Sequence, residues 1–566
     1  MIHTPSRIDS RTIVIVGGVA GGASAAARAR RMNEHAHIIL VEKDEHVSFA
    51  NCGLPYYVGG EITNRDKLLV ATPEKFRGWF NIDVRTRQHV LSIDRPRKTL
   101  RILDRDKGRE YEQVYDKLVL APGASPIVPP IEGVNAPNVF TLRNLADTDA
   151  IKQFLDGAAG KRAVVVGGGF IGLEMVEMLH RRGMRLALVE LLDQVLPPLD
   201  PEMAHLVKEE LEHHGVELHL GNGLAALEME DGKVRRVVLK NGERLDADFV
   251  MLSIGVRPNV KLAEEAGLEL GKAGGIRVNE VMQTSDADIY AVGDAVEYTH
   301  AVADLPMRIP LAGPANRAGR IAGEHAATDH AAPMPPVLGT AIVRVFDKVA
   351  AVTGCNMRCV AMMQGHVRTV WVPANDHAGY YPGAQEMLVK LLYEPTSHKV
   401  LGAQIVGGHG VDKRIDILAT AIRFGATVED LTTLDLAYAP PFSSAKDPVH
   451  LAGFTAENDL RGTSPFVSPA QLAELPDSTQ ILDVRTSKEW DAGHLDGAIW
   501  IPLDELRSRL DELDRNRPVV TVCRAGQRSY YATRILMQHG FADVQTLTGG
   551  MHLHSHALPA QPAVTR

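Results

Sequence analysis

The stretch that decides the fold is Arg11-Thr12-Ile13-Val14-Ile15-Val16 followed by Gly17-Gly18-Val19-Ala20-Gly21-Gly22. The apolar, β-branched hexapeptide predicts a buried parallel strand. The glycines predict a tight turn into an Ala- and Arg-rich helix over residues 23–32, and a second strand over 38–41 ends at Glu42. This βαβ order, with an acidic residue about 20 positions beyond the glycines, is typical of a dinucleotide-binding unit.

The glycine loop has a physical role in such a unit. Glycine lets the backbone approach a pyrophosphate, and the helix N-terminus supplies N–H groups and a positive dipole. Glu42 can accept hydrogen bonds from ribose hydroxyls. Val19 stands where the motif has its middle glycine, so a strand-to-helix turn without a ligand remains an alternative for this copy taken alone.

A second copy of the pattern lies further along the chain and keeps all three glycines. A strand over 163–166 leads into Gly167-Gly168-Gly169-Phe170-Ile171-Gly172, and a strand over 186–189 ends at Glu190. Two such units, about 150 residues apart, predict two bound dinucleotides. Glu190 favours a free ribose 2′-hydroxyl, hence NADH over NADPH, because a carboxylate repels a 2′-phosphate.

Composition limits the classes of protein. A chain of 566 residues is long enough for three or four domains, and a net charge of −9 gives no support for nucleic-acid or anionic-membrane binding. No apolar run approaches the roughly 20 residues of a membrane helix. Four cysteines form no disulfide framework, and residues 1–11 lack the apolar segment of a signal peptide, so we expect a cytoplasmic protein.

Three further motifs connect the two units. Residues 115–126 form a strand ending in Ala121-Pro122-Gly123-Ala124, Gly255 marks the exit from the second unit, and residues 284–295 end in Gly293-Asp294. With them the chain resembles the pyridine nucleotide–disulfide oxidoreductases over residues 11–455. The resemblance implies FAD on Gly17, Val19, Ala20, Gly21, Gly22, Glu42, Lys43, Gly293 and Asp294, and NADH on Gly167, Gly169, Phe170, Ile171, Gly172, Glu190 and Gly255.

The stretch Ser48-Phe49-Ala50-Asn51-Cys52-Gly53-Leu54-Pro55-Tyr56-Tyr57 holds one cysteine. Disulfide reductases of this family usually carry a second cysteine five positions later, where this chain has Tyr57, so the redox partner of Cys52 is expected from the substrate. A helix beginning at Cys52 would stabilise its thiolate. The stretch resembles the coenzyme A-disulfide reductases, which implies coenzyme A on Ser24, Arg28, Arg31, Ser48, Asn51, Lys75, Asn316 and Arg320. Complementing the helix C-terminal dipole is the alternative role for Arg28 and Arg31.

From about residue 333 the sequence resembles the dimerisation domain of the same family, so we expect a homodimer. In the coenzyme A reductases two tyrosines of this domain reach the redox cysteine of the other subunit. Tyr438 matches one of them, and Tyr380 or Tyr381 supplies the other. Aromatic packing at a dimer interface is the alternative for Tyr380 and Tyr381. Cys355 and Cys359, four positions apart, are expected to be structural, because a zinc site needs four ligands.

Residues 460–465 predict a linker, and Phe466 begins a last unit. A strand over 519–522 ends at Cys523, followed by Arg524-Ala525-Gly526-Gln527-Arg528-Ser529 and a helix. Such a loop directs N–H groups inward and forms an anion site, and the two arginines add positive charge. The unit resembles a rhodanese, which implies a Cys523 persulfide. The histidines of residues 552–557 are interpreted as part of a frayed end.

We therefore expect an α/β protein with two Rossmann-like dinucleotide-binding domains, an α+β dimerisation domain and a C-terminal α/β rhodanese domain. The expected boundaries are 1–145 with 260–330, 146–259, 331–458 and 466–558. The hypothesis is an FAD- and NADH-dependent reductase of coenzyme A disulfide, persulfide or polysulfide acting through Cys52, with no metal. Two alternatives are an NADH oxidase and a sulfurtransferase whose flavin module is a redox sensor.

Overall fold

The computed structural model describes residues 10–157, 159–363, 365–557 and 564–565, with side chains described as far as His554. The chain divides into two compact units, one within residues 1–193 and 216–339 and the other within 194–215 and 340–566. In the described part of the chain, no helix combines the length and the apolar character that a bilayer crossing requires.

The first unit combines two parallel sheets, smaller antiparallel sheets and the helices between them. Its elements up to residue 193 are β1 (Thr12–Val16), α1 (Ala20–Met32), β2 (His37–Val41), α2 (Leu54–Val58), α3 (Pro73–Phe80), β3 (Asp83–Arg85), β4 (Gln88–Asp94), β5 (Thr99–Asp104), β6 (Arg109–Val114), β7 (Lys117–Leu120), β8 (Ala124–Pro126), β9 (Val139–Phe140), α4 (Leu145–Leu155), β10 (Arg162–Val166), α5 (Phe170–Arg181) and β11 (Arg185–Val189). One helix, α6 (Pro201–His213), belongs to the second unit. The first unit resumes with β12 (Glu217–His219), β13 (Leu224–Glu230), β14 (Lys233–Leu239), β15 (Arg244–Asp246), β16 (Phe249–Leu252), β17 (Val256–Pro258), α7 (Lys261–Glu265), β18 (Ile289–Ala291), β19 (Tyr298–Thr299), β20 (Pro306–Met307) and α8 (Ala312–Thr328).

Two parallel sheets of the first unit correspond to the two glycine-loop repeats. The first has the strand order β18-β7-β1-β2-β3 and the second the order β12-β11-β10-β16-β9. Ile13, Val14 and Ile15 of β1 are fully buried, because helices cover both faces of such a sheet. The predicted strands and helices of both repeats are present, with ends that coincide or differ by at most three residues. The carboxyl ends of β1, β7 and β18 meet at one edge, where the glycine loop and Asp294 follow.

The second unit contains an antiparallel sheet and a smaller parallel one. After α6 it comprises β21 (Ala341–Val345), β22 (Lys348–Gly354), α9 (Met357–Met363), β23 (Arg368–Asn375), β24 (Glu386–Tyr393), β25 (Val400–Gly407), α10 (Val411–Arg423), α11 (Val428–Thr432), α12 (Pro448–Leu460), β26 (Phe466–Val467), α13 (Pro469–Leu472), β27 (Gln480–Asp483), α14 (Ser487–Asp491), β28 (His494–Leu495), β29 (Ile499–Trp500), β30 (Val519–Val522), α15 (Gln527–Gln538), β31 (Val544–Leu547), α16 (Gly550–Ala557) and β32 (Val564–Thr565).

The antiparallel sheet has the order β21-β22-β25-β24-β23, and α10 packs on β22 and β25. The parallel sheet has the order β26-β31-β30-β27-β29. Helix α12 ends at Leu460 and β26 begins at Phe466, so the predicted linker at 460–465 separates the two sheets. The mixed α/β architecture expected from the sequence is therefore present.

Two features of the second unit bear on the sequence expectations. Cys355 and Cys359, which were expected to be structural, are joined in a disulfide. The histidine-rich segment is not a frayed end over its first part, because His552 and His554 lie in α16 and His554 is buried. Residues 564–565 pair with β28, while residues 558–563 and 566 lie outside the described part of the chain.

Candidate active site

The first glycine loop forms a close-packed turn between β1 and α1. Gly17 has a φ of +98°, and a Cβ there would lie 2.1 Å from the Ala121 carbonyl oxygen. A Cβ on Gly22 would lie 1.8 Å from the Gly17 carbonyl oxygen. Only glycine fits these two positions. The turn therefore directs the N-terminus of α1 at the space in front of the sheet edge, as a bound pyrophosphate requires.

That space is a cavity of about 660 Å³, a volume typical of sites for cofactors. Its lining includes all nine residues that the resemblance assigned to FAD: Gly17, Val19, Ala20, Gly21, Gly22, Glu42, Lys43, Gly293 and Asp294. Arg143, in the loop before α4, also lines it and was missed, since it belongs to no motif. The cavity brings together loops that are up to about 280 residues apart in the sequence, as a discontinuous domain does.

Glu42 fixes the glycine loop as well as facing the cavity. Its carboxylate accepts the Gly18 N–H at 2.8 Å and the Asp44 N–H at 3.0 Å. Burial raises the pKa of Glu42, and these N–H groups oppose that shift. Each carboxylate oxygen keeps a second lone pair with which it can accept a ribose hydroxyl.

Asp294 lies in a 3₁₀ turn directly after β18. Burial raises the pKa of its carboxyl group, and the positive charge of Arg143 acts in the opposite direction. Among the described residues, no donor is hydrogen-bonded to this carboxylate. A partly buried carboxylate without a donor fits a ligand rich in hydroxyl groups, such as a ribityl chain.

Cys52 is exposed and lies in the 3₁₀ turn Asn51–Gly53 that precedes α2. Asn51 lines the nucleotide cavity, so the cysteine adjoins it. The expectation of a stabilised thiolate was wrong for this state of the protein: partial desolvation, then the charges of Glu174 and Asp294, raise the pKa of Cys52. Helix α2 has only five residues, so its dipole does not offset the desolvation and the two carboxylates.

Glu174 is a site residue that the sequence analysis missed. It lies on α5, in the first turns after the second glycine loop, and it accepts a hydrogen bond of 3.0 Å from the Tyr56 hydroxyl. Helices α2 and α5 pack together, which places this carboxylate near Cys52. The only sequence signal was an acidic residue inside an otherwise apolar helix segment, Phe170-Ile171-Gly172-Leu173-Glu174.

The second glycine loop repeats the geometry of the first. Gly167 has a φ of +108°, and a Cβ on Gly172 would lie 1.9 Å from the Gly167 carbonyl oxygen. Glu190 accepts the Gly168 N–H at 2.6 Å and the Leu192 N–H at 2.9 Å. A Cβ on Gly169 would meet no atom within 4 Å, so the space beside it is open to a ligand. Phe170 and Ile171 begin α5, and Gly255 follows β16 with a φ of +106°.

Five residues assigned to coenzyme A lie on two helices that pack against each other, α1 and α8. Ser24 donates a hydrogen bond of 2.6 Å to Asn316 across this contact. Arg28 donates two hydrogen bonds, of 2.9 and 2.6 Å, to Glu324. Arg31 and Arg320 share the same helix faces by their spacing from Arg28 and Asn316, because residues three or four apart are neighbours on a helix surface.

The neighbouring Arg30 lies in the last turn of α1, and its hydrogen bonds differ from those of Arg28 and Arg31. It is buried and donates to the carbonyl oxygens of Asn33 and Glu34, just beyond the end of α1, and of Phe80 and Asn81 at the end of α3. Of the two arginines assigned to coenzyme A, Arg31 also bonds its own helix, at the Ala27 carbonyl. Stabilisation of the helix C-terminus is thus carried mainly by Arg30, and the Arg28 side chain faces α8.

The other three coenzyme A candidates lie on the segments that flank Cys52. The Ser48 N–H donates to the Gly18 carbonyl and the Ser48 carbonyl accepts from the Val70 N–H, which connects the Cys52 segment to the segment leading into α3. Lys75, on α3, lies 4.6 Å from the ring centroid of the exposed Trp79 and donates to the Val70 carbonyl. Asn51 lies on the cavity wall next to Cys52.

Tyr380 and Tyr438 meet in the second unit. Their hydroxyl oxygens are 2.9 Å apart and both side chains are exposed, while Tyr381 packs edge-on against His377. The hydrogen bond with Tyr438 raises the pKa of Tyr380. Of the two alternatives at 380 and 381, Tyr380 therefore shares a site with Tyr438.

A buried arginine holds the two tyrosine loops together. Arg414 on α10 donates to the Asp447 carboxylate at 2.8 and 3.2 Å, to the Asp376 carbonyl at 2.7 Å and to the Ser443 hydroxyl at 3.2 Å. Arg414 and Asp447 are 1% and 2% exposed. Burial opposes ionisation of Asp447, but the Arg414 and Ser443 hydrogen bonds outweigh it and lower its pKa. This cluster was not predicted.

Cys523 lies at the end of β30 and is buried, with its Sγ 3.1 Å from the Gly526 N–H. Gly526 has a φ of +106°, which turns that N–H inward. Arg524 and Ala525 complete the loop, and Gln527, Arg528 and Ser529 form the first turn of α15. One N–H of the loop, that of Gly526, thus points toward the Cys523 sulfur, and the anion site itself stays a prediction.

Both loop arginines are paired with carboxylates, which the sequence did not indicate. Arg528 donates to both oxygens of Glu489, at 2.7 and 2.6 Å, and these bonds lower the pKa of Glu489 to about 2. Arg524 donates to both oxygens of Glu386, at 3.2 and 3.1 Å.

Comparison with known proteins gives consistent matches along the chain. Residues 11–319 match the pyridine nucleotide-disulphide oxidoreductase model, residues 340–449 the dimerisation domain of that family, and residues 468–555 a rhodanese-like domain. The chain is 36% identical over 445 residues to the coenzyme A disulfide reductase of Staphylococcus aureus strain bovine RF122 / ET3-1, covering 79% of this chain and 99% of that protein.

Two solved structures are similar over nearly the full length. Reduced CoADR-RHD of Bacillus anthracis has a TM-score of 0.94 and 46% identity, covering 98% of this chain and 99% of that one. A NAD-dependent persulfide reductase from A. fulgidus has a TM-score of 0.89 and 42% identity, covering 96% and 99%.

Proposed function

Because the chain belongs to the pyridine nucleotide-disulphide oxidoreductase family and carries a rhodanese-like domain, we propose that it uses NADH to reduce a coenzyme A-linked disulfide or persulfide. One observation carries the proposal: Cys52 is exposed beside the first nucleotide cavity without a second cysteine in its own unit. Cys355 and Cys359 are bonded to each other, and Cys523 is buried in the rhodanese-like domain.

The residues of the two glycine loops fit two dinucleotides. The FAD site comprises the first glycine loop with Glu42 and Asp294, and the NADH site comprises the second loop with Glu190. When bound, the two dinucleotides supply two electrons, as a hydride equivalent, to the sulfur at Cys52. The chain itself orients them through its glycine turns, its helix N-termini and its ribose-facing carboxylates.

The sulfur chemistry requires the Cys52 thiolate, because the thiolate is the attacking species. Attack on a coenzyme A disulfide forms a Cys52–S–S–coenzyme A bond and releases one coenzyme A thiolate. Attack on the carbon-bearing sulfur of coenzyme A persulfide forms the same bond and releases hydrosulfide. A hydride equivalent, that is two electrons and one proton, then breaks the mixed disulfide, restores the Cys52 thiolate and releases coenzyme A as its thiol. Each cycle therefore consumes one NADH, whose hydride supplies both the electrons and this proton.

The Tyr56–Glu174 pair controls the charge around this step. Partial desolvation raises the pKa of Cys52, and the negative charges of Glu174 and Asp294 raise it further, so the resting state favours the protonated thiol. Formation of the mixed disulfide removes the negative charge of the thiolate. The Glu174 carboxylate therefore favours the neutral disulfide over the free thiolate by electrostatic repulsion.

Coenzyme A binds, in this proposal, along the contact of α1 and α8. Ser24, Arg28, Arg31, Asn316 and Arg320 present hydroxyl, amide and guanidinium groups there, and planar guanidinium groups suit phosphates. Ser48, Asn51 and Lys75 continue the site toward Cys52. The chain acts as a homodimer, supported by its match to the dimerisation domain, and the Tyr380–Tyr438 pair serves the redox cysteine of the other subunit as a hydroxyl donor.

The presence of a rhodanese-like domain supports sulfane sulfur as the physiological substrate, because reduction of a plain disulfide does not require a sulfurtransferase domain. Cys523 takes up a sulfane sulfur as a persulfide and passes it to coenzyme A for reduction at Cys52. Fusion in one chain raises the effective concentration of this donor at the reductase.

The decisive experiment is mass spectrometry of the purified protein under non-reducing conditions, together with the Cys52→Ser variant. We expect a coenzyme A adduct on Cys52, and loss of NADH-dependent reduction of coenzyme A disulfide and persulfide in Cys52→Ser with flavin still bound. Cys359→Ser is the matched control and should keep both activities. Undiminished reduction by Cys52→Ser, or a disulfide between Cys52 and another cysteine of the chain during turnover, would refute the proposal.

A further inference from the structure

Arg524, the residue directly after Cys523, is held by a carboxylate from outside the rhodanese-like domain. Glu386 is the first residue of β24, in the antiparallel sheet, and both of its oxygens accept from one Arg524 nitrogen, at 3.2 and 3.1 Å. The His552 ring, from α16, lies 3.7 Å from the same carboxylate. The partly exposed Arg524 side chain is therefore oriented toward the neighbouring domain.

The backbone of the cysteine loop is fixed independently of this ion pair. The Met551 N–H donates to the Cys523 carbonyl at 2.8 Å, and the His552 N–H donates to the Arg524 carbonyl at 2.9 Å. A Cβ on Gly550 would lie 2.4 Å from the Cys523 carbonyl oxygen, so the start of α16 packs directly against the loop. Replacing Glu386 should consequently release the Arg524 side chain and leave the loop backbone in place.

The charge balance of the loop follows from its two ion pairs. Arg528 is neutralised by Glu489 and Arg524 by Glu386, so a sulfur donor that approaches Cys523 meets two guanidinium groups that are already paired. A doubly charged inorganic donor such as thiosulfate gains little attraction from paired cations. An organic persulfide carries at most one charge at its sulfur end, so pairing of the arginines weakens its electrostatic attraction to the loop by less.

We propose that Glu386 is a specificity-determining positioning residue, which holds Arg524 so that Cys523 accepts sulfane sulfur from an organic persulfide carrier in preference to a dianionic inorganic donor. The inference depends on the sulfur-transfer role proposed above. In the transfer, the Cys523 thiolate attacks the terminal sulfur of the carrier persulfide, the carrier S–S bond breaks, the carrier leaves as its thiolate, and the sulfur remains as a Cys523 persulfide. No external oxidant or reductant is needed.

The first test compares two donors in the full-length protein without NADH, with cyanide as acceptor and thiocyanate as product. Thiosulfate is the dianionic donor and pantetheine persulfide is the donor that lacks phosphate groups. Glu386→Gln should raise kcat/KM for thiosulfate by about tenfold at low ionic strength, as expected for a dianion about 6 Å from one freed cation in water-like surroundings. The kcat/KM for pantetheine persulfide should change less than twofold. At about 1 M salt the increase in kcat/KM for thiosulfate should disappear.

The control variants separate this role from a general structural effect. Glu429→Gln removes a carboxylate of the same domain that pairs with His398 and should leave both donors unchanged. Adding Arg524→Gln to Glu386→Gln should abolish the gain for thiosulfate, because the gain requires the freed guanidinium. A gain that survives in the double variant would overturn the proposal, as would an equal gain for both donors.

The second test does not depend on sulfur transfer. Cys523 is alkylated with iodoacetate or with iodoacetamide, and the two rates are followed by peptide mass spectrometry. Glu386→Gln should raise the ratio of the anionic to the neutral rate about threefold, and an unchanged ratio would overturn the proposal. If the wild-type protein forms no Cys523 persulfide with either donor, the sulfur-transfer role fails, and the alkylation ratio alone decides the role of Glu386.

Discussion

Arg414→Met removes the buried cation that joins the two tyrosine loops. The guanidinium and the Asp447 carboxylate are 1% and 2% exposed, so the substitution leaves a buried carboxylate whose main partner is gone. Breaking a buried ion pair at one side costs about 3–5 kcal/mol. The hydrogen bonds to Asp376 and Ser443 are lost as well. Because methionine fills a similar volume, the loss is mainly electrostatic.

The pH dependence of this loss has a defined sign. In the wild-type protein the folded-state pKa of Asp447 lies below its ordinary value, so the pair stabilises the fold above about pH 3.9 and the stabilisation is lost as the pH falls through the folded pKa. In Arg414→Met, burial without the guanidinium raises that pKa. The variant therefore loses stability as the pH rises above about 3.9, and the difference from wild type grows toward neutral pH.

Hydrogen exchange is the appropriate assay, because a chain of several domains has no single free energy of unfolding. Protection of amides in α10 and α12 should fall by about two to four orders of magnitude at pH 7, and by less at pH 5 after correction for intrinsic rates. Lys413→Met, which removes a more exposed cation 3.8 Å from Asp447, is the matched control and should cost less than about 1 kcal/mol. Unchanged protection, or a difference from wild type that shrinks with rising pH, would refute the reasoning.

Two further predictions concern the first unit. Gly169→Ala should raise KM for NADH at least tenfold with no loss of thermal stability, since a Cβ there meets no protein atom. Gly172→Ala should instead destabilise the turn itself, and steady-state kinetics together with thermal melts separate the two effects. An unaltered KM in Gly169→Ala would count against nucleotide binding at this position. Glu174→Gln should lower the pKa of Cys52 and speed its alkylation by iodoacetamide at pH 7 in flavin-depleted protein, without reversing the part of the shift that desolvation causes; an equal or slower rate would contradict the assigned electrostatics.

The parts of the fold that follow from local sequence were predictable. The strands of both glycine-loop repeats and the strand before Cys523 are short apolar runs bounded by glycine or by a polar turn, and their positions depend on residues within a few places in the chain. Seven of the nine residues assigned to FAD line one cavity for a local reason, because a glycine loop and the acidic residue that follows it have a fixed geometry. The other two, Gly293 and Asp294, follow a distant strand and were assigned through the family resemblance.

The site residues that were missed depend on contacts between distant segments. Tyr56 and Glu174 are 118 positions apart, and Glu386 and Arg524 are 138 apart. No local pattern marks such a partner, since any acidic residue on a surface helix or strand end looks the same in sequence. The wrong expectation for Cys52 has the same origin, because a helix dipole is a local feature whereas the opposing carboxylates come from two other segments.

Several of the missed residues are carboxylates that pair with arginines, and these arginines were expected to bind anions. Arg28 pairs with Glu324, Arg524 with Glu386 and Arg528 with Glu489. An anion that binds at such a cation must share or replace the carboxylate, so part of the Coulomb gain is offset and charge alone gives a weaker affinity than an unpaired arginine would. Selectivity then depends on groups that the ligand carries besides its charge. That requirement suits a ligand such as coenzyme A, whose adenine, phosphates and pantetheine arm can each contribute contacts, better than it suits a small inorganic anion.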